Sequence, residues 1–266
     1  MPALFQTHQI QGKAGDGPNL LITAGIHGDE YEGMVAIRKL IGSIDNNNLR
    51  GRLTLVPVVN ESAFALRSRT GEDELDFART CPGKDDGTTT ERVAHELSQL
   101  IEDSDYYIDL HTGGSIMQVD PLVGYNLASD SSILEIQQHM ARAFGLPIIW
   151  GTSANLDGRS LSIARDAKVP AIYAEYLGGG ECSHKGAQAY FEGCLNVMAA
   201  LEIINPRPPS PPPDLVVEDP RPSSGHMQIC HPSPMDGYFE AAVTLGQTIK
   251  QGQKLGHIID PLGTDT

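Results

Sequence analysis

Six short apolar runs recur along the first 205 residues: NLLITAGI (19–26), RLTLVPVV (52–59), YYIDL (106–110), PLVGY (121–125), LPIIW (146–150) and VPAIYAE (169–175). They are rich in Val, Ile, Leu and Tyr. Near-continuous apolar runs of this length suit strands covered on both faces. Between them the pattern changes to a helical period. Residues 31–44 place Met34, Ile37, Leu40 and Ile41 on one face. Residues 90–103 do the same with Val93, Leu97, Leu100 and Ile101, and open on the acidic Glu91. Residues 131–145 and 186–204 repeat the period. Strand–helix alternation at this spacing predicts an α/β domain with a mixed, mostly parallel central sheet flanked by helices.

The pattern breaks after residue 205. Eight of the 18 prolines fall between 206 and 222. Proline removes a backbone donor and fixes φ, so 206–222 is expected to be an extended, semi-rigid linker. Residues 223–266 then carry short β-like runs punctuated by Gly237, Gly246, Gly252 and Gly256. They predict a small C-terminal β-barrel-like module, similar to one half of a biotinyl/lipoyl-type barrel. Such a half leaves strand edges open, so either residues 206–225 supply strands to it or the module is incomplete. The expected division is 1–205, 206–222 and 223–266.

Charge narrows the function. The 266 residues hold 19 Lys and Arg against 34 Asp and Glu, a net charge of −15. That balance repels phosphate backbones and anionic bilayers, so neither nucleic acid nor membrane is an expected partner. A small molecule is, and a homo-oligomer remains open. No apolar run approaches a bilayer span. The N-terminus lacks a basic segment followed by an apolar run, so no secretory leader is expected. Cys81, Cys182, Cys194 and Cys230 are widely spaced and read as free thiols of a reducing, cytoplasmic compartment. If the substrate is an anion, a local group of arginines must overcome the global charge.

Candidate chemistry gathers at strand ends. AGIHGDEYEG (24–33) follows one buried run and precedes a helix, with His27 and Glu30 three apart among glycines. Imidazole and carboxylate both suit Zn2+, but a catalytic zinc needs a third protein ligand. DLHTGG (109–114) ends another run and supplies His111. In a parallel sheet two such ends meet on one edge, where open α/β sheets place their ligands. Asp109 shares the strand face of His111 and is placed to orient its ring. Glu175 closes the run 169–175 before three glycines. It suits a general base that later returns a proton to a leaving amine, although a Glu paired with an arginine at the core edge fits that position too. The segment 60–83 holds Arg67, Arg69 and Arg79, forks for a carboxylate or a polarised carbonyl, or members of a salt-bridged surface. Asn60 adds an amide donor at the turn. His95 and His139 sit inside helical patterns as surface groups. His184 follows the glycine loop and is a weaker candidate for the cleft. His226, His231 and His257 lie in the C-terminal module.

Taken in order, GIHGDEYEG, VVN…R…DFARTCPG, TERVAHEL, DLHTGG and AEYLGGG resemble the succinylglutamate desuccinylase/aspartoacylase family, zinc hydrolases related to the metallocarboxypeptidases. The resemblance runs from about residue 18 to the chain end. It implies a zinc carboxypeptidase-like fold over 1–205 as a hydrolase catalytic domain. It implies one Zn2+ per chain, held by His27, Glu30 and His111, with Glu175 as base and proton shuttle. Arg69 resembles the arginine that polarises the scissile carbonyl, with Arg67 the alternative by spacing. Arg79 resembles the carboxylate-holding arginine of an Asp-Leu-Asn-Arg motif, here Asp76-Phe77-Ala78-Arg79. Ala78 removes one donor to the substrate. Arg159 or Arg165 matches a further substrate arginine, spacing not deciding between them, and Arg165 reads equally as a solvated helix residue. The implied activity is hydrolysis of the amide bond of an N-acyl amino acid or related acylated amine by metal-activated water. The alternatives are a metallocarboxypeptidase acting on peptides and a non-catalytic zinc-binding module.

Overall fold

The computed structural model describes residues 4–222, 224 and 232–263. The chain divides into two units, 1–222 and 223–266. Unit one is built on eight strands. These are β1 (His8–Gln11), β2 (Asn19–Ala24), β3 (Arg52–Val56), β4 (Tyr106–His111), β5 (Gln118–Leu127), β6 (Ile148–Ser153), β7 (Ala171–Gly178) and β8 (Leu215–Asp219). Their order across the sheet is β1-β3-β2-β4-β7-β5-β6-β8. The neighbours β3, β2, β4 and β7 run parallel, as do β5, β6 and β8. Direction reverses between β7 and β5 and between β1 and β3. The sheet is therefore mixed and mostly parallel, flanked by helices.

Six helices cover it: α1 (Tyr31–Ser43), α2 (Glu61–Leu66), α3 (Thr89–Glu102), α4 (Ser131–Phe144), α5 (Ser160–Ala167) and α6 (His184–Ala200). Strand alternation divides the core into two layers. Leu20, Ile22, Ile108, Leu110, Ile172 and Ala174 join Met34, Ile37 and Leu40 of α1 and Tyr190 and Val197 of α6 on one face. Leu21, Tyr107 and Ala171 join Val93, Leu97 and Ile101 of α3 and Leu161 and Ala164 of α5 on the other. The helical stripes read from the sequence thus face the sheet. Ile41 and Leu100 sit at their margins, only partly buried.

Four elements depart from the sequence reading. β1 is an exposed, polar edge strand whose HQIQ carries no core signal. The helices α2 and α5 are six and eight residues long, too short for a period to register. The fourth departure is a correction. Residues 206–222 were expected to be only a connector, but Leu215–Asp219 pairs in parallel with β6 and edges the main sheet. The prolines flank this strand rather than interrupt it, so its backbone donors stay free for pairing. Leu215–Asp219 therefore belongs to unit one. Within the described part of unit two, β9 (Tyr238–Ala241) and β10 (Gly256–Ile259) form a two-stranded antiparallel sheet. His226, Cys230 and His231 lie outside the described residues. Cys81, Cys182 and Cys194 are free thiols. Among the described residues no helix is long and apolar enough to cross a membrane.

The loop 60–88 is tied to α3. Glu91 and Thr88 form a capping box. Asp73 adds a cap from fifteen residues before the box, accepting from the Thr90 backbone N–H and hydroxyl, each at 2.7 Å. Burial raises the Asp73 carboxyl, but hydrogen bonds from Thr88, Thr90 and Leu75 outweigh it and hold the group below its ordinary value. Asp73→Ala should therefore cost about 1–2 kcal/mol in chemical denaturation near neutral pH. A group with a depressed folded value stabilises above the unfolded value of about 3.9 and loses that contribution as pH falls through the folded one. The gap between wild type and variant should accordingly narrow in acid; a gap independent of pH would show that the charge contributes nothing.

Candidate active site

β2 ends at Ala24, and the chain turns at Gly25 with φ of +68°. A side chain at Gly25 would also meet Val58 Cα at 2.9 Å, so the turn requires glycine twice over. Gly28 passes still closer to α2, where a Cβ would lie 2.0 Å from the carbonyl carbon of Ala63. This tight path drops His27 and Glu30 beneath the surface, each 3% exposed. β4 is the parallel neighbour of β2 and delivers His111 at its end. His27 Nδ1 lies 2.8 Å from Glu30 Oε1, and His111 Nδ1 lies 3.0 Å from Glu30 Oε2. The Thr112 backbone N–H donates to the same Oε2 at 3.0 Å. One potential ligand atom from each of the three side chains falls within 4.8 Å of the others.

The outer ring nitrogens are also held by carboxylates. His111 Nε2 is 3.0 Å from Asp109 Oδ2, and His27 Nε2 is 3.3 Å from Asp76 Oδ1. Both imidazoles thus turn Nδ1 inward and Nε2 towards an acid. Burial opposes the charged ring of His27, but Glu30 and Asp76 outweigh it and raise its value. Asp109 and Glu30 do the same, more strongly, for His111. Two imidazoles and a carboxylate converging on one point, each ring steadied from behind by a carboxylate, fit the donor chemistry of a zinc site.

Glu175 stands opposite His111 in the β4–β7 register. Its Oε2 is buried with no hydrogen-bond partner among the described residues. Burial first, then Glu30, pushes it up to about 8, against the opposing pull of His111, His27 and Arg69. A carboxyl so placed and so poised is equipped to exchange protons near neutral pH. Tyr190 of α6 donates its hydroxyl to the His111 carbonyl and fixes the end of β4.

The arginines separate clearly. Arg69 reaches the cluster: Nε and Nη2 each lie 3.1 Å from Asp76 Oδ2, and Nη1 is 3.9 Å from Glu30. Arg67, its alternative by spacing, is the exposed left-handed cap of α2, with φ of 53°. Arg79 is exposed, and Nη1 donates to the Ala78 carbonyl at 2.6 Å. Its backbone runs against Gly158, whose carbonyl accepts from Cys81 N–H at 3.1 Å. That contact sets Arg159 beside Arg79. Burial, then the Arg79 charge, lowers the Arg159 guanidinium from its ordinary value. Asn60 is wholly buried, and its Oδ1 caps α2 by accepting from Ala63 N–H at 3.1 Å. Its Nδ2 is buried without a hydrogen-bond partner among the described residues. Arg165 is tied to Asp157, Asp166 and the Ala154 carbonyl, the partners of a helix-surface residue. His184 is exposed at the first turn of α6.

Asp76 is the site residue that sequence reasoning missed as a side chain. It appeared only as part of the DFAR motif, yet it grips His27 and Arg69 together. The two opposing charges outweigh its burial and hold it well below the usual carboxylate range. No local pattern distinguishes it from the neighbouring acids Glu72, Asp73 and Glu74, because its partners lie seven and 49 residues away.

The chain is 31% identical over 254 residues to N-alpha-acetyl-L-2,4-diaminobutyric acid deacetylase of Halomonas elongata, covering 93% of this chain and 72% of that one. Among solved structures, the product-bound ectoine utilization protein EutE (DoeB) from Ruegeria pomeroyi superposes with a TM-score of 0.88 at 26% identity, over 98% of this chain and 78% of that one. A succinylglutamate desuccinylase/aspartoacylase from Rhodobacter sphaeroides superposes with a TM-score of 0.86 at 25% identity, with the same two coverages. Residues 16–201 match the Succinylglutamate desuccinylase/Aspartoacylase catalytic domain. With that match reaching from before β2 to the end of α6, the chain belongs to the succinylglutamate desuccinylase/aspartoacylase family.

Proposed function

We propose that this protein is a zinc-dependent deacylase that hydrolyses the amide bond of an N-acyl amino acid. One observation carries the reading: Glu175, a buried carboxyl whose Oε2 has no partner among the described residues, stands in register beside His111 and the paired His27–Glu30 set. His27, Glu30 and His111 would hold the ion. A zinc ion supplies Lewis acidity, polarising a carbonyl and acidifying water.

The chain's own residues do the rest. Glu175 takes a proton from the attacking water and later gives it to the departing amine. Positive charge held by the His27–Glu30–His111 set draws Glu175 towards the carboxylate, the form a base needs. Arg69 donates to the oxygen on which charge develops. Asp76 limits the motion of that guanidinium and fixes the ring of His27, so one carboxylate serves both groups. Arg79 and Arg159 offer a pair of cationic forks for the substrate carboxylate. Their mutual repulsion is relieved when an anion sits between them. This answers the problem that a −15 chain poses for an anionic substrate: Arg69, Arg79 and Arg159 lie close enough for their charges to be felt together. The products are a carboxylic acid and an amino acid. The Halomonas elongata relative acts on an acetylated diamino acid, so N-acetylated diamino acids head the list of candidate substrates.

The reading is tested by supplying the zinc-loaded chain with formyl, acetyl and succinyl derivatives of acidic, basic and apolar amino acids and detecting released amine. Turnover of at least one group is expected, abolished by a chelator and restored by zinc. Cleavage of peptides with no turnover of acyl amino acids would overturn it. Glu175→Gln should retain its zinc by elemental analysis while kcat falls at least about 100-fold; normal turnover would remove Glu175 as the base. Arg69→Ala should lower kcat by about 10²–10³, the usual cost of one lost oxyanion donor. Asp76→Ala should weaken zinc binding or activity roughly 10–100-fold, and unchanged values for both would take Asp76 out of the site.

A further inference from the structure

Asp109 lies under the sheet face, 0% exposed, two residues before His111. Its oxygens divide their partners. Oδ1 accepts from the Thr23 hydroxyl at 2.9 Å. Oδ2 accepts from the Ser160 hydroxyl and also meets His111 Nε2 at 3.0 Å. Tyr107 closes the set from below, its hydroxyl 2.8 Å from that of Thr23. Thr23, Tyr107 and Ser160 are all almost completely buried. The carboxylate is therefore cradled by hydroxyls, and burial of its charge is offset by their hydrogen bonds together with His111.

Thr23 and Tyr107 come from the strands β2 and β4, the same scaffold that carries His27 and His111. Ser160 does not. It is the first residue of α5, immediately after Arg159, whose backbone caps that helix. Ser162 ties the cap from within the helix: its hydroxyl donates to the Arg159 carbonyl at 2.6 Å and accepts from the Arg159 N–H at 3.1 Å. Gly158, one residue earlier, carries the backbone contact with Arg79 and Cys81. Adjacent residues of one helix start thus face two tasks. Arg159 stands with Arg79, while Ser160 shares a single carboxylate oxygen with His111.

We propose that Ser160 is a positioning residue that couples the start of α5 to the metal centre: through Asp109 it orients His111, and through its place next to Arg159 it sets the carboxylate-binding arginines against that centre. The arginine half rests on the function proposed above; the metal half does not. A helix start that drifts from the sheet loosens His111 and misplaces Arg159 together, whereas loss of either neighbouring hydroxyl disturbs one side alone.

The experiment uses the zinc-loaded full chain and two readouts: the rate of zinc transfer to an excess of a chromophoric chelator, and KM with kcat for the best acyl amino acid. Ser160→Ala should release zinc about tenfold faster, the low end for a group supporting a metal ligand. It should also raise KM about three- to tenfold, the loss of roughly one hydrogen bond. Thr23→Ala should speed zinc release with KM within twofold of wild type. Ser162→Ala should raise KM with zinc release within twofold. Ser160→Thr, which keeps the hydroxyl, should restore zinc release and KM towards wild type. Should Ser160→Ala not fold, Ser160→Cys keeps the volume with a weaker donor and must shift both readouts in the same directions. Wild-type zinc release in the Ser160 variant, a changed release with unchanged KM, or faster release in Ser162→Ala would each overturn the coupling. Failure of the wild type to hydrolyse any acyl amino acid would instead count against the proposed function, and zinc release would still decide the metal half.

Discussion

Glu30 is a carboxylate held almost out of water between two imidazoles, and the arrangement of this edge of the sheet follows from keeping it satisfied. A lone buried carboxylate carries a large desolvation penalty. Here His27, His111 and the Thr112 N–H all converge on its two oxygens, and their attraction outweighs burial enough to drop its value far below the ordinary one. That balance holds only if β2 and β4 are parallel neighbours ending at the same level. It also needs the turn at Gly25 and the close passage of Gly28 past α2, because either shift would separate His27 from Glu30.

The same constraint spreads outward through carboxylates rather than through apolar contacts. Asp109 fixes the far side of His111 and is itself held by Thr23 and Ser160. Asp76 fixes the far side of His27 and holds Arg69. The next turn of chain adds two more fasteners: Asp29 accepts from the Ser115 N–H at 2.8 Å and Glu32 from the Ser183 N–H at 2.9 Å. Asp29, Glu30 and Glu32 thus each catch a backbone N–H from a loop at the end of β4 or β7. Three acids within four residues, which composition counts merely as negative charge, connect the strand-end loops that surround the cleft. Among the described residues Asp29, Glu32 and Glu175 each keep one buried carboxylate oxygen with no hydrogen-bond partner. A group of that kind is costly to fold around and useful in catalysis for the same reason.

Sheet order explains how distant segments reach one cleft. β4 occupies the centre, between β2 and β7, so His27, His111 and Glu175 end on one edge although 148 residues separate the first from the last. The reversal at β7–β5 sends the second half of the sheet the other way. The loop after β6 then returns across the face through Gly158, Arg159 and Ser160, and meets the loop that carries Arg79. Residues from both halves of the sheet therefore contribute to the site.

The strands, the amphipathic helices and the identity of the strand-end groups were legible in the sequence because each depends on local periodicity. A buried run of five or six residues must be a covered strand, and a His or Glu at its carboxyl end must stand at the sheet edge. His27 and His111 were readable in this way as groups at or just past a strand end, and Asp109 followed from the period of two, whereas Glu30 stands at the start of α1 and Glu175 three residues inside β7. The segments without period were not readable. β1 and β8 are edge strands with little to bury, and α2 and α5 are too short to show a stripe. What only the tertiary structure decided is how the loops fold back: Arg69 rather than Arg67 turns to the cluster, Asp76 rather than its acidic neighbours takes up His27, Asn60 caps a helix inside the fold, and Ser160 finds Asp109 from 51 residues away. A strand end is placed by its own pleat, whereas a loop side chain is placed by partners that no nearby residue specifies.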